Sequence, residues 1–518
     1  MRKRFTTGFA LCLLLAVTMM LAACGSDSKT PSAKNGAPDT GRVLYERALM
    51  DAKTFDPFAT SDITEQIFHY QIFEGLLYET PDGKYEPAIA EKYEFNKAGD
   101  EITFTIRKGV KFHNGADVTP EDVVFSLNTA IKSKYTTKVS SVMKVAELKD
   151  GKVVLKLKYP FKPILGCLVN SSMSIVPKAV YEKDPKAFAA KPVGSGPYML
   201  ESTKPGETVT FVAFKDYWRG EAKIKKIVTK VIKDNTSALM AMESGGLQLM
   251  QPSQDYSDRK ALKENPKLVY YEKPQAVFFD VGFNTAKGKF ADKRLRQAVA
   301  YAVDKNDLIA GAVNGMAQPV EAAIVPSVPQ YPKEFKAWGY DLEKAKKLMA
   351  EAGYPDGFTV TMRIIGATNY TKPAEVLQAQ LKKINIDLKI ETLERAAWFE
   401  KVYSGGEYEI TYYAHPISVL DADFSTYAYF HSSEADGKGS NFYNYKNPEL
   451  DKLLEAGRAE SDEKVRSEIY KKIAEIVRDE AVCVPTYAGY RTMSAVKELK
   501  GVYADPMNRY YKYNYSWE

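Results

Sequence analysis

Residues 101–127 read EITFTIRKGVKFHNGADVTPEDVVFSL. From Glu101 to Arg107 polar and apolar residues alternate with period two, the pattern of a strand with one buried face. Thr119 is a helix-capping residue type, and Pro120 suits a first helical turn. Glu121 and Asp122 then complement the positive end of the helix dipole, and an apolar stripe follows through Leu127. A half-buried strand followed by a capped helix predicts mixed α/β architecture. The rest of the chain repeats the theme without a sequence repeat. Val153 to Lys158 alternates like the first strand. Asp292 to Val303 predicts a helix with Leu295, Val299, Ala302 and Val303 facing inward. Asp341 to Ala352 predicts another, ended by Gly353 and then Pro355. Pro373 to Ile384 leads into a strand from Ile386 to Ile390, and helices are expected over Pro448 to Leu454 and Glu463 to Glu480. Helices alternating with strands give α/β lobes, and 518 residues suffice for more than one of them.

The N-terminus carries a different signal. Arg2, Lys3 and Arg4 precede an apolar stretch from Leu11 to Leu21, and Leu21-Ala22-Ala23-Cys24 follows. This is the order of a secretory signal over 1–23, with a core too short to span a membrane comfortably. Cysteine after Leu-Ala-Ala resembles the bacterial lipobox. It implies that Cys24 becomes the mature N-terminus and carries lipid, anchoring the protein to the membrane. Residues 24–41 are polar and lack large apolar side chains, so they read as a flexible tether. Half of the formal net charge of +6 lies on Arg2, Lys3 and Arg4. No basic tract interleaved with aromatics points to nucleic acid.

Enzyme signatures are missing. No Gly-x-Ser-x-Gly elbow, phosphate loop or dinucleotide fingerprint occurs. His69, His113, His415 and His431 lack metal-ligand spacing, and no Cys-x-x-Cys is present. Cys167 and Cys483 read as two small buried hydrophobes. Tyrosine is abundant at 34 residues, with pairs such as Tyr412-Tyr413. Tyrosine offers broad contact area with a polar tip.

Several blocks together resemble the extracytoplasmic solute-binding proteins of ABC importers, family 5, which include oligopeptide-, dipeptide- and nickel-binding members. They are AEKYEF at 90–95, ITFTIRKGVKFHNG at 102–115, DVTPEDVVFS at 117–126, VGSGPY at 193–198, RLRQAVAYAVD at 294–304, YDLEKAKKLM at 340–349 and NFYNYKNPELD at 441–451. The resemblance implies a two-lobed periplasmic-binding-protein-like fold of class II type with an extra inserted subdomain. The first lobe would combine 42–85, 195–285 and 485–518, the insertion would be 86–194, and the second lobe 286–484. It further implies a monomer without a cofactor, located outside the cytoplasm. This monomer would hand a peptide to an ABC permease and its ATPase subunits without breaking a bond.

Peptide-binding relatives place an aspartate on the peptide ammonium in a Trp-x-x-Asp motif. In the matching stretch His415 takes the tryptophan place and Ser418 the aspartate place, and serine cannot neutralise an ammonium. Asp421 and Asp423, in the same loop, are candidate substitutes; alternatively they cap local backbone groups. Trp398 matches a pocket tryptophan. Of Tyr412 and Tyr413, on opposite faces of one strand, at most one should meet ligand. His415 either contacts ligand or is a buried neutral histidine. Arg395 and Arg491 are candidates by location only. The departure from the motif keeps a second ligand class open, a metal chelate, opine or sugar derivative, and an extracellular peptide-sensing receptor is the further alternative.

Overall fold

The computed structural model describes residues 41–251 and 258–518. The expected signal peptide, Cys24 and the tether up to residue 40 lie outside the described residues. The strand at Glu101–Ile106 buries Ile102, Phe104 and Ile106 and turns Thr103 and Thr105 outward, as its alternation requires. The helix Pro120–Lys132 begins with a capping box: the Thr119 side chain accepts from the Asp122 N–H while Asp122 accepts from the Thr119 N–H. Val123, Leu127 and Ala130 form its buried stripe. These elements belong to a separate four-stranded antiparallel sheet, ordered Ala90–Phe95, Glu101–Ile106, Lys152–Leu157, Met143–Lys149.

The chain returns from this sheet through the VGSGPY turn. A Cβ at Gly194 would sit 2.0 Å from the carbonyl oxygen of Ile72, and one at Gly196 2.6 Å from the same carbonyl carbon. Only glycine permits so close a backbone approach, and the Gly196 N–H donates to Ile72 O at 2.8 Å. His113 seals the same turn. Its Nδ1 accepts from the Gly194 N–H at 3.3 Å and its Nε2 donates to Gly196 O at 3.0 Å.

A twelve-stranded sheet carries the rest. Its first part orders Leu249–Met250, Leu44–Ala48, Lys226–Val231, Thr208–Ala213 and Tyr198–Lys204. Its second part orders Val277–Phe283, Ile410–Pro416, Phe358–Ile365 and Ile386–Leu393, the last three parallel. The helix Thr368–Lys382 makes the crossover between two of the parallel strands. It starts earlier than expected, so that Pro373 lies inside it. Proline has no N–H to give the Asn369 carbonyl, and the helix tolerates that single lost bond near its start. Two apolar cores result. One gathers residues from 276 to 488; the other gathers 44–249 and 493–517, including the four-stranded sheet. The molecule is therefore two-lobed and α/β. Residues 277–285 and 485–488, expected with the first lobe, contribute Phe278, Val281, Phe283, Tyr487 and Ala488 to the second core. Cys167 and Cys483 are unpaired and buried, and burial pushes both thiols up.

Burial pulls the imidazoles of His69 and His113 down to about 4. The unfolded chain takes up these protons near 6.5 and the folded chain does not, so each histidine costs stability as pH falls from 6.5 towards 4. The slope is about 1.4 kcal/mol per pH unit for each. Glu74 opposes them: burial raises its carboxyl to about 7, so its contribution declines as pH rises from 4.5 to 7. Urea unfolding at a series of pH values should show His113→Gln with an acid limb shallower by about 1.4 kcal/mol per unit. An unaltered limb would show that His113 does not stay neutral in the fold.

Candidate functional site

The fourteen-residue strand Cys483–Val496 joins the two parts of the large sheet. Its first half pairs with Val277–Phe283 in the second lobe, and its second half pairs with Leu268–Pro274 in the first. Those partner strands are consecutive in sequence, separated only by Gln275 and Ala276. Both crossings therefore lie side by side, tied by the Gln275 N–H donating to Gly489 O at 2.9 Å. Two adjacent extended crossings bend with small changes in φ and ψ, the geometry of a hinge.

Cavities open on this crease between the lobes. One, of about 260 Å³, has Gln66, Tyr70 and Asn170 on one wall and Tyr413 and Ser418 on the other. A second, of about 570 Å³, lies between Gln251 and Thr492 on one side and Asn314 and Asn369 on the other. Tyr413 reaches the first cavity while Tyr412, on the opposite face of the strand, is buried with its hydroxyl 3.0 Å from Thr486 Oγ1. Trp398 does not line the cavity. It is fully buried, its Nε1–H donates to Arg363 O at 3.2 Å, and its ring stacks behind Tyr413 at 4.4 Å. It acts as the backing of the wall. His415 is also fully buried. Its Nε2 lies 3.1 Å from Asp280 Oδ1 and 3.0 Å from the Tyr443 hydroxyl, and its ring stacks on Phe278.

The two candidate aspartates are occupied within the second lobe. Both oxygens of Asp421 accept from Arg466, at 2.6 Å each, and Oδ1 also caps the helix Ala422–Phe430 through the Asp423 N–H. Asp423 forms a second two-pronged pair with Arg458, at 3.0 and 3.1 Å. Burial nonetheless raises the Asp423 carboxyl, against the pull of Arg458. The structure thus turns both carboxylates toward internal arginines and neither onto the cavity walls. No Asp or Glu among the described residues lines either interlobe cavity. Among the described residues no group of three or more His, Cys, Asp or Glu is gathered as for a metal ion.

Comparison with known proteins places this hinged cleft. A sequence model of the bacterial extracellular solute-binding proteins, family 5 (middle region), matches residues 84–437. The chain belongs to this family. It is 27% identical over 465 residues to the glutathione-binding protein GsiB of Salmonella choleraesuis, covering 88% of this chain and 90% of that protein. It is also 27% identical over 551 residues to the oligopeptide-binding protein AppA of Bacillus subtilis, covering 100% and 99%. The solved structure of HbpA2 from Haemophilus parasuis superposes with a TM-score of 0.86 at 23% identity, covering 92% of this chain and all of that one, and so shares the fold.

One feature of this family 5 protein escaped the sequence reading. It is a contact across the cleft. Val419, in the loop after Ser418, is fully buried, and it packs with the first-lobe core rather than its own. It sits where a Cβ on Gly166 would be, 2.3 Å from that position, with Tyr85 Oη 2.7 Å away. Phe424 meets Phe161 edge-on at 6.2 Å, and the Lys162 N–H donates to Arg458 O at 3.0 Å. Arg491, a candidate by location, borders both interlobe cavities and a third of about 150 Å³ beside Tyr510. A valine in a loop has no local pattern to announce its partner, since only long-range packing gives it its place.

Proposed function

We propose that this protein captures peptides outside the cytoplasm and delivers them to an ABC permease and its ATPase subunits. The carrying observation is the paired crossing at Gln275 and Gly489 with a cavity walled by both lobes. Ligand contacts on both walls exist together only when the lobes are closed, so ligand shifts the population toward that form by its differential affinity. The permease then distinguishes closed from open. The names of the relatives AppA and GsiB, for oligopeptide and glutathione, support a peptidic ligand. No bond need break, so the reading includes no catalytic residue. Tyr413 and Ser418 contact ligand in this scheme, with Trp398 fixing the Tyr413 ring and His415 the strand beneath it.

In the same proposal the lobes follow the expected map, 42–85 with 195–285 and 485–518, an insertion at 86–194, and 286–484. Its borders at 285 and 485 move to about 275 and 489, where the sheet changes core. The chain works as a monomer and is held at the membrane by lipid on Cys24. Lipid labelling that persisted in Cys24→Ser would refute the anchor.

One observation favours a second reading. With Ser418 at the ammonium-binding place and no carboxylate among the described residues of the cavity walls, a metal chelate, an opine or a sugar derivative fits as well as a free-amine peptide. Calorimetry with di- to pentapeptides, combined with small-angle scattering, tests the choice. Saturable binding, a smaller radius of gyration and intact peptide on release are expected. Absence of binding by every peptide, or recovery of cleaved peptide, would overturn peptide capture.

A further inference from the structure

The lobes also meet away from the paired crossings. The segment 159–166 follows the four-stranded sheet and packs with the first-lobe core through Phe161, Ile164 and Leu165. Facing it are Val419 and the helices Ala422–Phe430 and Pro448–Ala459 of the second lobe. Arg458 is the centre of the contact. Asp423 accepts from its Nε and Nη2, at 3.0 and 3.1 Å, and the Tyr427 ring lies 3.3 Å from the guanidinium. Both of these partners belong to the second lobe. Two further rings come from across the gap: Tyr159 at 5.3 Å and Phe161 at 5.4 Å. Nη1 reaches the Tyr159 hydroxyl at 3.4 Å. Aromatic faces attract a guanidinium within about 6 Å, so rings of both lobes share one cation. The Arg458 carbonyl accepts the Lys162 N–H at 3.0 Å. Phe424 against Phe161 and Val419 at Gly166 complete the contact. None of these residues lines either interlobe cavity.

We infer that this contact is a clasp that forms without ligand, so that the protein closes part of the time on its own and the clasp scales its affinity for every solute by one common factor. The place of the contact is the reason. A ligand favours closure only through the atoms it touches, and the clasp residues stand outside the cavities it would fill. Their attraction is therefore present in the closed form with or without solute. Apparent affinity is the intrinsic affinity scaled by the fraction of protein competent to bind. Loosening the clasp lowers that fraction and changes nothing in the cleft, so all solutes lose alike. Cleft residues separate one solute from another, whereas Arg458 and its rings separate closed from open. The inference rests on the capture of a solute between two moving lobes, and it adds what draws the lobes together before the solute arrives.

Hydrogen exchange of the full mature protein without ligand reads the clasp directly. Pro160 and Pro163 have no N–H, so the segment 160–163 carries only the amide hydrogens of Phe161 and Lys162. The Lys162 amide should exchange at least about tenfold slower than in the unfolded chain. Leu157 and Lys158 give the internal control, because their N–H groups donate to Asp100 O and Val142 O beside the same four-stranded sheet. In Tyr159→Ala combined with Val419→Ala, Lys162 should exchange several-fold faster while Leu157 and Lys158 keep their native rates. Tyr159 is 38% exposed, so its truncation opens no core cavity. Titration of the tripeptides Ala-Leu-Ala and Ala-Leu-Lys should show both affinities reduced by the same factor, about fivefold. Three results would overturn the inference: an unprotected Lys162 amide in the native protein, Leu157 and Lys158 loosened together with Lys162, or affinities that stay unchanged or fall by unequal factors. Binding of neither tripeptide would count against peptide capture alone, and exchange at Lys162 then decides for or against the clasp.

Discussion

Asp421→Ala should lower the free energy of unfolding by about 3–5 kcal/mol, the range for removing one partner of a buried ion pair. Arg466 has a side-chain exposure of 1%, so its charge cannot turn to water when the carboxylate goes. The Gly457 carbonyl and the Tyr470 hydroxyl would remain as its partners, and neither carries a compensating charge. The same substitution removes the cap of the helix Ala422–Phe430, worth about 1 kcal/mol. Replacing both partners, Asp421→Leu with Arg466→Met, should recover most of the pair's share, because the buried charge goes with its counter-charge. Equilibrium unfolding in urea measures all three proteins. A different result would restore the reading of Asp421 as a ligand partner: stability within about 0.5 kcal/mol of the parent, together with weakened binding of a free-amine peptide.

Gly166→Leu should separate the lobes without unfolding either. Gly166 lies in the short helix Ile164–Leu168, where leucine is a better helix former than glycine. The side chain would, however, fill the space taken by Val419 Cγ1, 2.3 Å from the first added carbon. Overpacking a fitted contact costs about 1–3 kcal/mol; the part set by Val419 falls on the closed arrangement, while the part set by Tyr85 Oη, 2.7 Å from the same carbon, is borne by the first lobe itself. Apparent ligand affinity should then drop by about 5- to 150-fold, with a larger radius of gyration in the presence of ligand. Gly166→Ala combined with Val419→Ala should restore much of the affinity, since the new methyl replaces the one removed. Undiminished affinity and compaction in Gly166→Leu would show that Val419 has no part in closure.

The two substitutions bear on one segment, the loop at 417–421 and the start of the helix Ala422–Phe430, where sequence and structure differ in the partners they give the acids. Asp421 and Asp423 stand near the place where relatives hold a peptide ammonium, and two acids in a loop read naturally as ligand partners. Arg466 and Arg458, which occupy them, come from helices some thirty to forty-five positions later. No spacing rule connects an arginine on an amphipathic helix to an aspartate in a preceding loop. Trp398 shows the same limit in milder form. Its position near the cleft was legible, but whether the ring faced the cavity or backed Tyr413 depended on how the segment after Ile386–Leu393 folds onto Arg363.

Local chemistry was sufficient wherever a residue's environment is set by its neighbours in sequence. The period-two strand at 101–106, the Thr119 capping box, the inward stripe of Leu295, Val299 and Ala302, and the split between Tyr412 and Tyr413 all follow from backbone geometry that repeats every two or 3.6 residues. The ordered blocks of the family carried the α/β class and the two-lobed plan. The tertiary structure alone decided which charges are satisfied inside the protein and which are left facing the cleft. Burial and pairing depend on segments distant in sequence meeting in the fold, so the arginine partners of Asp421 and Asp423 and the seated side chain of Val419 became visible only once the chain was folded.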